Sequence, residues 1–393
     1  LMEVMVTHCC GLDVHQKSIT ACVLVGKLTS SRPKKTQKTF GTTTFDLRSL
    51  SEWLKELEVS HVLMESTGQY WKPVWNILEP EDFHLILANP QHIKNVPGRK
   101  TDMKDAEWIA LLGRCGLVNA SYVPDKETQE LRYLTRQRSS VKQEKTKRVN
   151  EIHNILQRAN IKLTSYLSNI FGKTGKALLT LFINGEKITE EVVAREIHGK
   201  VKASIAELVR AMDGCLSKCD RALLNLHLQT ILRLEEEISE LNQLIDEYTE
   251  KFSDVYLRLI EIPGISKLTA EVILAEIGCT VNAFQTAENL ASWAGLCPGN
   301  YESAGIKKRS NATKGNKYLK VALCRAGISA GRSKSGTFHS FFVKLSQRMP
   351  KAKAAVATAH KLLRIVYVLL KTGQRYDELI INKEKGSITT GMA

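Results

Sequence analysis

The sequence predicts an α/β domain at the N-terminus, a helical connecting region and a mostly α-helical C-terminal domain. Up to about residue 120, short apolar runs alternate with amphipathic helical patterns, as in an α/β domain. Helical spacing then dominates, with a coiled-coil pattern between 231 and 252. Two helical patterns joined by a Pro-Gly turn follow in 259–278. These changes place the domains at 1–125, 126–255 and 256–393.

The N-terminal region contains four predicted strands. Residues 9–12 and 19–25 are two apolar runs joined by a polar turn, which indicates a β-hairpin with Asp13 at the end of its first strand. The later strands are HVLMES, which ends at Glu65, and FHLILANP, which Pro90 stops. Predicted helices cover FDLRSLSEWLKELE, QYWKPVWNILEP and DMKDAEWIALLGRCG. In the last of these, Asp102 lies near the start and Gly116 fits a C-terminal stop.

The connecting region carries two patterns that predict contacts. Residues 126–158 contain nine Lys or Arg against four acids, which indicates a nucleic-acid face or a solvated helix face. Apolar residues recur at spacings of three and four, which predicts a coiled-coil seam. They are Ile231, Leu234, Ile238, Leu241, Ile245, Tyr248 and Phe252. The alternative is one amphipathic helix packed on its own domain, but the length of the pattern favours an interhelical or intersubunit contact.

The segment 259–278 predicts a helix-hairpin-helix. Its turn amides and the start of its second helix could hold a backbone phosphate without reading sequence. A plain helical hairpin is the alternative, and the PGIS turn followed by Thr269 and Ala270 favours the DNA-contacting form.

The charge balance predicts a polyanionic partner. The chain has 393 residues, a formal net charge of +15 and nine scattered cysteines. Such an excess of cations is typical of nucleic-acid-binding proteins, although some soluble proteins are simply basic. No run approaches the roughly 18 apolar residues of a membrane span. We therefore expect a cytoplasmic, nucleoid-associated protein with reduced thiols and no membrane partner.

Four carboxylates lie where a metal site would need them. Asp13 and Glu65 end neighbouring predicted strands, and Asp102 and Asp105 are three apart on one predicted helix face. Converging carboxylates repel each other unless cations neutralise them, and Mg²⁺ prefers oxygen ligands. Two such ions can stabilise both oxygens of a phosphodiester displacement. Each acid alone would suit a helix cap or a surface charge, but together they match an RNase H-like, RuvC-type nuclease.

A basic loop after the predicted helical hairpin offers candidate nucleophiles. Residues 300–334 contain nine Lys or Arg and one acid, Glu302. Three hydroxyls stand among these cations: Ser303, Ser310 and Thr313. The candidate nucleic-acid contacts are Lys307, Lys308, Arg309, Lys314 and Lys317. The loop is either a solvated basic surface or a nucleophile presented to a phosphodiester.

Several motifs together resemble the DEDD transposases of insertion sequences related to the Piv-type DNA invertases, which are bridge-RNA-guided recombinases. The motifs are GLDVHQKSITACVL, VLMESTGQYWKPVWNILE, NPQHIKNVPGRKTDMKDAEWIALLGRCGLV, LIEIPGISKLTAEVILAEIG and ENLASWAGLCPGNYESAGIKKRSNATKGNKYLKVAL. They occur in the family's order over nearly the whole chain. Each motif alone is weak, and the set is specific.

The resemblance implies a RuvC-like N-terminal domain, a coiled-coil connector and a C-terminal transposase domain with a serine nucleophile. It places Asp13, Glu65, Asp102 and Asp105 on the family's acidic tetrad. Ser303 falls on the family's catalytic serine, and Ala304-Gly305 beside it would permit close approach to a phosphate. It further implies Mg²⁺, donor and target DNA, a bridge RNA, and a homo-oligomer between a dimer and a tetramer.

Two other functions compete with a serine recombinase. A metal-dependent junction resolvase would use water and need no serine, whereas a binding scaffold would need no acidic tetrad. A covalent protein–DNA adduct distinguishes the recombinase from both.

Overall fold

The computed structural model describes residues 4–30, 32–97, 104–298, 302–303, 306–307, 312, 315–334 and 336–376. Contacts between residues divide the chain into two compact units, Leu1–Val123 and Pro124–Ala393. Among the described helices, none combines the length and the apolar composition that a bilayer crossing requires.

The first unit is an α/β unit built on one mixed sheet. Its elements in chain order are β1 (His8–Val14), β2 (Ile19–Val25), β3 (Lys34–Phe40), α1 (Thr44–Glu56), β4 (His61–Glu65), α2 (Trp71–Leu78), β5 (His84–Ala88), α3 (Pro90–Asn95) and α4 (Asp105–Arg114). The strand order is β3-β2-β1-β4-β5. Strands β1, β2 and β3 pair antiparallel, whereas β4 runs parallel to both β1 and β5.

The predicted hairpin and the two later predicted strands are therefore confirmed, and the polar strand β3 was not predicted. Its sequence, KKTQKTF, lacks the apolar alternation of a half-buried strand. The strand lies at the edge of the sheet and pairs with β2 from Lys34 to Phe40. Edge strands can carry lysines on both faces, which also disfavours further strand addition.

Helices cover both faces of this sheet because its central strands are apolar on both faces. Cys10, Leu12 and Met64 face a core that includes buried residues of α1 and α2. Cys9 and Leu63 face the opposite core, which α4 closes with Trp108, Ile109 and Leu112. Alternate residues of β1 and β4 thus belong to opposite layers.

The second unit is helical. Its helices are α5 (Lys126–Arg158), α6 (Leu163–Tyr166), α7 (Lys173–Asn184), α8 (Glu190–Arg195), α9 (Ile205–Ala211), α10 (Lys218–Glu250), α11 (Ser253–Ile260), α12 (Lys267–Ile277), α13 (Ala287–Trp293), α14 (Lys317–Arg332), α15 (Thr337–Arg348) and α16 (Lys351–Thr372). Two short strands, β6 (Glu302–Ser303) and β7 (Ile306–Lys307), lie between α13 and α14. A mixed N-terminal sheet followed by a mostly helical chain confirms the coarse fold class.

The predicted coiled-coil seam on α10 faces α5 of the same chain. Leu234 and Leu241 pack against Val141 in one buried cluster, with Ile238 beside them. Farther along the helix, the Tyr248 hydroxyl donates to a Glu130 carboxylate oxygen over 2.9 Å. The seam is therefore interhelical, and its partner is an intramolecular helix.

The α5–α10 pair carries a separate helical cluster at the end formed by Arg158 and Lys218. Ile152, Ile155 and Leu156 of α5 and Leu224 and Leu228 of α10 share one core with the helices between them. The short helices α6 to α9 therefore pack around this end of the α5–α10 pair.

Helices α11 and α12 form the predicted helical hairpin. Gly264 in the turn has φ +91°, a left-handed conformation that favours glycine. A Cβ on Gly264 would lie 2.6 Å from the Ala326 carbonyl oxygen of α14. Ser266 caps α12 by accepting a hydrogen bond from the Thr269 amide. The turn therefore packs directly against α14.

We expect Leu241→Ala to lower the free energy of unfolding by about 2–5 kcal/mol, because it leaves a cavity against Val141. Leu244→Ala is the matched control on the same helix, since Leu244 is 42% exposed and Leu241 is 8% exposed. Urea unfolding measures the loss, and light scattering measures the mass. A change of mass at unaltered stability in the Leu241 variant would contradict an intramolecular seam.

Candidate active site

The ends of β1 and β4 bring two predicted site carboxylates together. The strands are parallel, and their register pairs Gly11 with Leu63 and Leu12 with Met64. Asp13 and Glu65 are the next residues of their strands, so they lie side by side at one edge of the sheet. Parallel register alone thus accounts for the adjacency of two acids that are 52 positions apart in the sequence.

Helix α4 adds a third carboxylate to this edge. A Cβ on Gly11 would lie 2.2 Å from the Ala106 carbonyl oxygen, so the helix backbone rests directly on β1 at this glycine. Side chains alternate between faces along a strand, and Asp13 therefore shares the α4-covered face with Gly11. Glu65 shares it with Leu63, which faces Gly113 of α4. Asp105 is the first residue of α4 and directly precedes Ala106.

The carboxylates at this edge have local partners. The Thr67 hydroxyl donates to Glu65 Oε1 over 2.6 Å. The carboxylate of Asp13, whose side chain is 28% exposed, lies 3.2 Å from His15 Nε2. Within the described ranges, no group of three or more His, Cys, Asp or Glu side chains is arranged to hold a metal ion. The backbone places three acids on one face of one edge, but their side-chain tips do not form a closed ligand set.

The fourth predicted acid, Asp102, lies outside the described residues. Lys104 has an extended backbone, with φ −69° and ψ 153°, so α4 begins at Asp105. The expectation that one helix carries Asp102 and Asp105 on the same face stays a prediction, because it depends on residues outside the described ranges.

A neighbouring acid on α4 has a structural role. Lys35 of β3 lies 2.6 Å from the Glu107 carboxylate, and a hydrogen bond to Glu107 raises the pKa of Lys35. Burial, followed by the charge of Glu107, raises the pKa of the nearby Cys22 thiol to about 11. Glu107 is thus engaged in an ion pair with Lys35, and the protonated thiol of Cys22 is a poor metal ligand.

The backbone around the predicted nucleophile forms a short β-hairpin. Strands β6 and β7 are antiparallel, and Ser303 pairs with Ile306. An isolated antiparallel bridge between Pro298 and Ala312 lies closer to the base of the hairpin. Ser303 is thus the last paired residue of its strand, with only 304–305 between the two strands. The alternative hydroxyls Ser310 and Thr313 lie outside the described residues.

The base of this hairpin is tightly fixed. A Cβ on Gly315 would lie 2.3 Å from the Gly295 amide nitrogen, so the two chain segments touch through their backbones. The Asn316 amide donates to the Trp293 carbonyl over 3.0 Å. Any side chain at position 315 would separate these segments.

A buried carboxylate on α12 connects the hairpin base to α5. Glu276 is fully buried and accepts two hydrogen bonds of 2.8 Å from the Arg136 guanidinium. The Asn316 side-chain amide also donates to Glu276, over 2.6 Å. The Asn316 side-chain oxygen in turn accepts from the Tyr318 and Leu319 amides, capping α14.

Two further arginines reinforce this contact. Arg132 donates to the Ala275 and Glu276 carbonyls at the end of α12. Arg138, which is only 4% exposed, pairs with Glu271 over 2.6 Å. Burial lowers the pKa of Arg136, but the hydrogen bonds and charge of Glu276 outweigh it and raise that pKa above its usual value. Sequence patterns do not reveal this network, because its arginines lie more than 130 positions from the acids with which they pair.

Most of the basic side chains on α5 therefore make intrachain ion pairs. Six of the nine are so engaged: Arg132, Arg136, Arg138, Lys145, Arg148 and Arg158. Fewer cations on α5 are therefore available to nucleic acid than the sequence predicts, because acids of the same chain balance these six charges.

The predicted basic contacts of the serine loop are only partly described. Lys308, Arg309 and Lys314 lie outside the described residues, and Lys307 is described only by its backbone pairing with Glu302. Lys317 begins α14, and its ammonium lies 5.0 Å from the centre of the Tyr318 ring.

Two family models match the chain. A transposase model of the IS110 DEDD type matches residues 10–161, which include Asp13, Glu65, Asp102 and Asp105. A second model, described as transposase IS116/IS110/IS902 family, matches residues 256–342, which include Ser303.

Individual relatives agree with these models. A probable family 20 transposase of Pseudomonas aeruginosa is 27% identical, over 81% of this chain and 86% of its own length. A pilin gene-inverting protein of Moraxella bovis is 30% identical, over 38% of this chain and 46% of its own. A putative transposase of Sinorhizobium fredii is 26% identical, over 49% of this chain and 50% of its own.

We expect Glu276→Gln to lower the free energy of unfolding by about 3–5 kcal/mol, because it leaves the charge of Arg136 partly buried without its partner. Hydrogen exchange at the start of α14 should rise as well, since one of the two oxygens that accept from Arg136 and Asn316 becomes an amide nitrogen that cannot accept. The matched control is Glu288→Gln, because Glu288 is 64% exposed and lies 3.6 Å from Arg364. Its expected loss is under about 1 kcal/mol. Equal losses in the two variants would contradict a special role for Glu276.

Proposed function

The chain belongs to the IS116/IS110/IS902 family of transposases, and from this premise we propose that it cuts and rejoins DNA through a carboxylate-bound metal site and a serine nucleophile. The observation that carries the proposal is the placement of Asp13, Glu65 and Asp105 on one face of one sheet edge. Asp102 belongs to the same proposed site through its position in the family's motif.

The first unit is proposed to be RNase H-like, of the RuvC type. In support, three antiparallel strands are followed by two strands parallel to the first, in the order β3-β2-β1-β4-β5. The acids of such a sheet gather at the ends of the parallel pair, where Asp13 and Glu65 lie.

The donor set fits a hard divalent cation. Carboxylate oxygens are the ligands that Mg²⁺ prefers, and the half-buried Asp13 and Glu65 can turn from their local partners toward an ion. Asp13, Glu65, Asp102 and Asp105 would hold Mg²⁺, which when bound supplies positive charge beside the phosphate that reacts. Without a cation, the mutual repulsion of these acids disfavours their convergence.

Ser303 is proposed as the group that attacks DNA. Its oxygen forms a bond to phosphorus as the bond from phosphorus to one sugar oxygen breaks, and the serine proton ends on the departing oxygen. Attack of a second DNA hydroxyl on this phosphoserine rejoins the strand and restores the serine. Because each step exchanges one phosphate ester for another, no external energy source is needed.

The hairpin geometry suits this role. Ser303 stands beside the turn of a hairpin whose base is fixed by Gly315, Asn316 and the Glu276 network. A rigid base confines the nucleophile to a small region, and such positioning supplies much of the rate in transfer reactions. The basic residues Lys307, Lys308, Arg309, Lys314 and Lys317 would bind the DNA backbone around it.

The partners are proposed to be donor DNA, target DNA and a bridge RNA. The net charge of +15 supports polyanionic partners. The gene-inverting name of the Moraxella relative denotes a DNA rearrangement that requires cutting and rejoining. We further propose a homo-oligomer, between a dimer and a tetramer, in which the acids of one subunit meet the serine of another. Such an enzyme would act in the bacterial cytoplasm, at the nucleoid.

We expect Asp13→Asn and Asp105→Asn to reduce strand cleavage by more than about 100-fold while leaving DNA affinity nearly unchanged. Even the loss of a group that only orients a metal ligand typically costs 10–100-fold. Cleavage of labelled DNA across a Mg²⁺ titration measures the loss. Glu107→Gln is the control on the same helix as Asp105, because Glu107 is paired with Lys35. Near-normal cleavage by both aspartate variants at saturating Mg²⁺ would remove these residues from the site.

We expect Ser303→Ala to abolish recombination and the covalent protein–DNA adduct together, by at least about 1,000-fold, since only water could replace the lost oxygen. Ser310→Ala and Thr313→Ala are the controls and should retain both activities. Denaturing gels detect the adduct, and mass spectrometry of the digested complex locates the phosphorylated residue. An adduct on Ser310 would identify Ser310 as the nucleophile, whereas cleavage without any adduct would identify a nuclease that uses water.

A further inference from the structure

A groove in the helical unit lies between α5 and α14 and is floored by α12. It consists of two adjoining cavities of about 720 Å³ and 380 Å³. The cavities share Ser139 and Gln143 of α5 and Arg325 of α14, so they form one continuous channel.

The groove carries excess positive charge. Its basic residues are Arg136, Arg138, Lys142, Lys317 and Arg325. Arg136 and Arg138 are neutralised by Glu276 and Glu271. Within the described part of the chain, Lys142 and Arg325 make no ion pair, and Glu276 is the only acid in the lining. Lys142 on α5 and Arg325 on α14 are therefore unbalanced cations on opposite walls of the groove.

The surroundings of Lys142 show how strongly positive this region is. Burial lowers the pKa of Lys142, and the charges of Arg138, Arg325 and Lys145 lower it further against the opposing effect of Glu271. An anion in the groove would relieve this repulsion, because it favours the charged form of the lysine.

The rest of the lining combines apolar side chains, among them Leu268, Val272 and Val321, with neutral hydrogen-bonding groups. Ser139 and Gln143 on one wall and Ser266 and Thr269 on the floor offer hydroxyls and an amide. Such groups, together with cations, are the usual contacts of phosphate oxygens in nucleic-acid complexes. The first turn of α12 borders the same cavity and adds its partial positive charge.

The groove runs from the turn of the helical hairpin to the start of α14. One end lies at Gly264, in the turn of the helical hairpin, and the other lies at Lys317, the first residue of α14. Lys317 follows Gly315 and Asn316, which fix the base of the Ser303 hairpin. A chain lying in the groove would therefore be led from the Gly264 turn to the base of that hairpin.

We infer that this groove binds the phosphodiester backbone of one nucleic-acid strand, with Lys142 and Arg325 contacting its phosphates from opposite walls. The inference rests on the proposed function for the identity of the polyanion and adds a path by which a strand reaches the serine hairpin. DNA and RNA share the backbone chemistry, and the test below separates them.

The test compares Lys142→Gln/Arg325→Gln with the charge-matched control Lys344→Gln/Lys353→Gln. The control lysines are exposed and lie outside the groove lining. Fluorescence anisotropy of the full chain measures affinity for labelled duplex DNA and for labelled single-stranded RNA at several salt concentrations. Circular dichroism and thermal unfolding verify that each variant is folded.

We expect the groove variant to reduce the slope of log K against log salt by about 1.8 for duplex DNA, or by about 1.4 for single-stranded RNA, since each lost phosphate contact releases fewer counterions. The control should keep the wild-type slope. A reduction with only one of the two ligands identifies which nucleic acid occupies the groove. Unchanged slopes with both ligands, or equal reductions in the control, would overturn the inference.

Failure of the proposed function would look different. If the wild-type chain binds nucleic acid with a groove-dependent slope but forms no Ser303 adduct, the serine mechanism fails and the groove stands. If the adduct forms and the groove variant keeps its slope, the groove fails and the serine mechanism stands.

Discussion

The buried carboxylate of Glu276 is the constraint on which the helical unit depends. A carboxylate with no solvent exposure is costly unless cations and hydrogen bonds surround it. Arg136 and Asn316 meet this need from α5 and from the segment that begins α14. Three elements are therefore fixed around one charge. The groove between α5 and α14 and the base of the Ser303 hairpin are both consequences of that arrangement.

The α/β unit depends on a different constraint, which is close contact rather than charge. Gly11 allows the backbone of α4 to rest on β1, because any side chain there would meet the Ala106 carbonyl. This contact determines where Asp105 stands relative to Asp13. A larger residue at position 11 would displace α4 and would move Asp105 away from Asp13. Strand register cannot bring these two carboxylates together, because Asp105 lies on a helix.

Local patterns predicted much of the fold but few of its tertiary contacts. The strands that carry Asp13 and Glu65 and the turn at Gly264 were predictable, because apolar runs and Pro-Gly signals act over a few residues. The helical partner of the α10 seam was not, since periodicity shows that a stripe is buried but not against what. Counting charges on α5 likewise overestimated its free cations, because the acids that pair with Arg136 and Arg138 lie far away in sequence. The site edge followed from strand order, whereas the fixed base of the hairpin required the structure.

The α5–α10 pair has a consequence for scale. The cluster of short helices begins at Ile152, sixteen positions along α5 from Arg136, a spacing of about 24 Å at 1.5 Å per residue. That is about seven base pairs of duplex at 3.4 Å per pair. The length of α5 thus sets the distance between these two parts of the helical unit. If a nucleic acid contacted both parts, the length of helix α5 would set how many base pairs lie between the two contacts. That number would not depend on the base sequence.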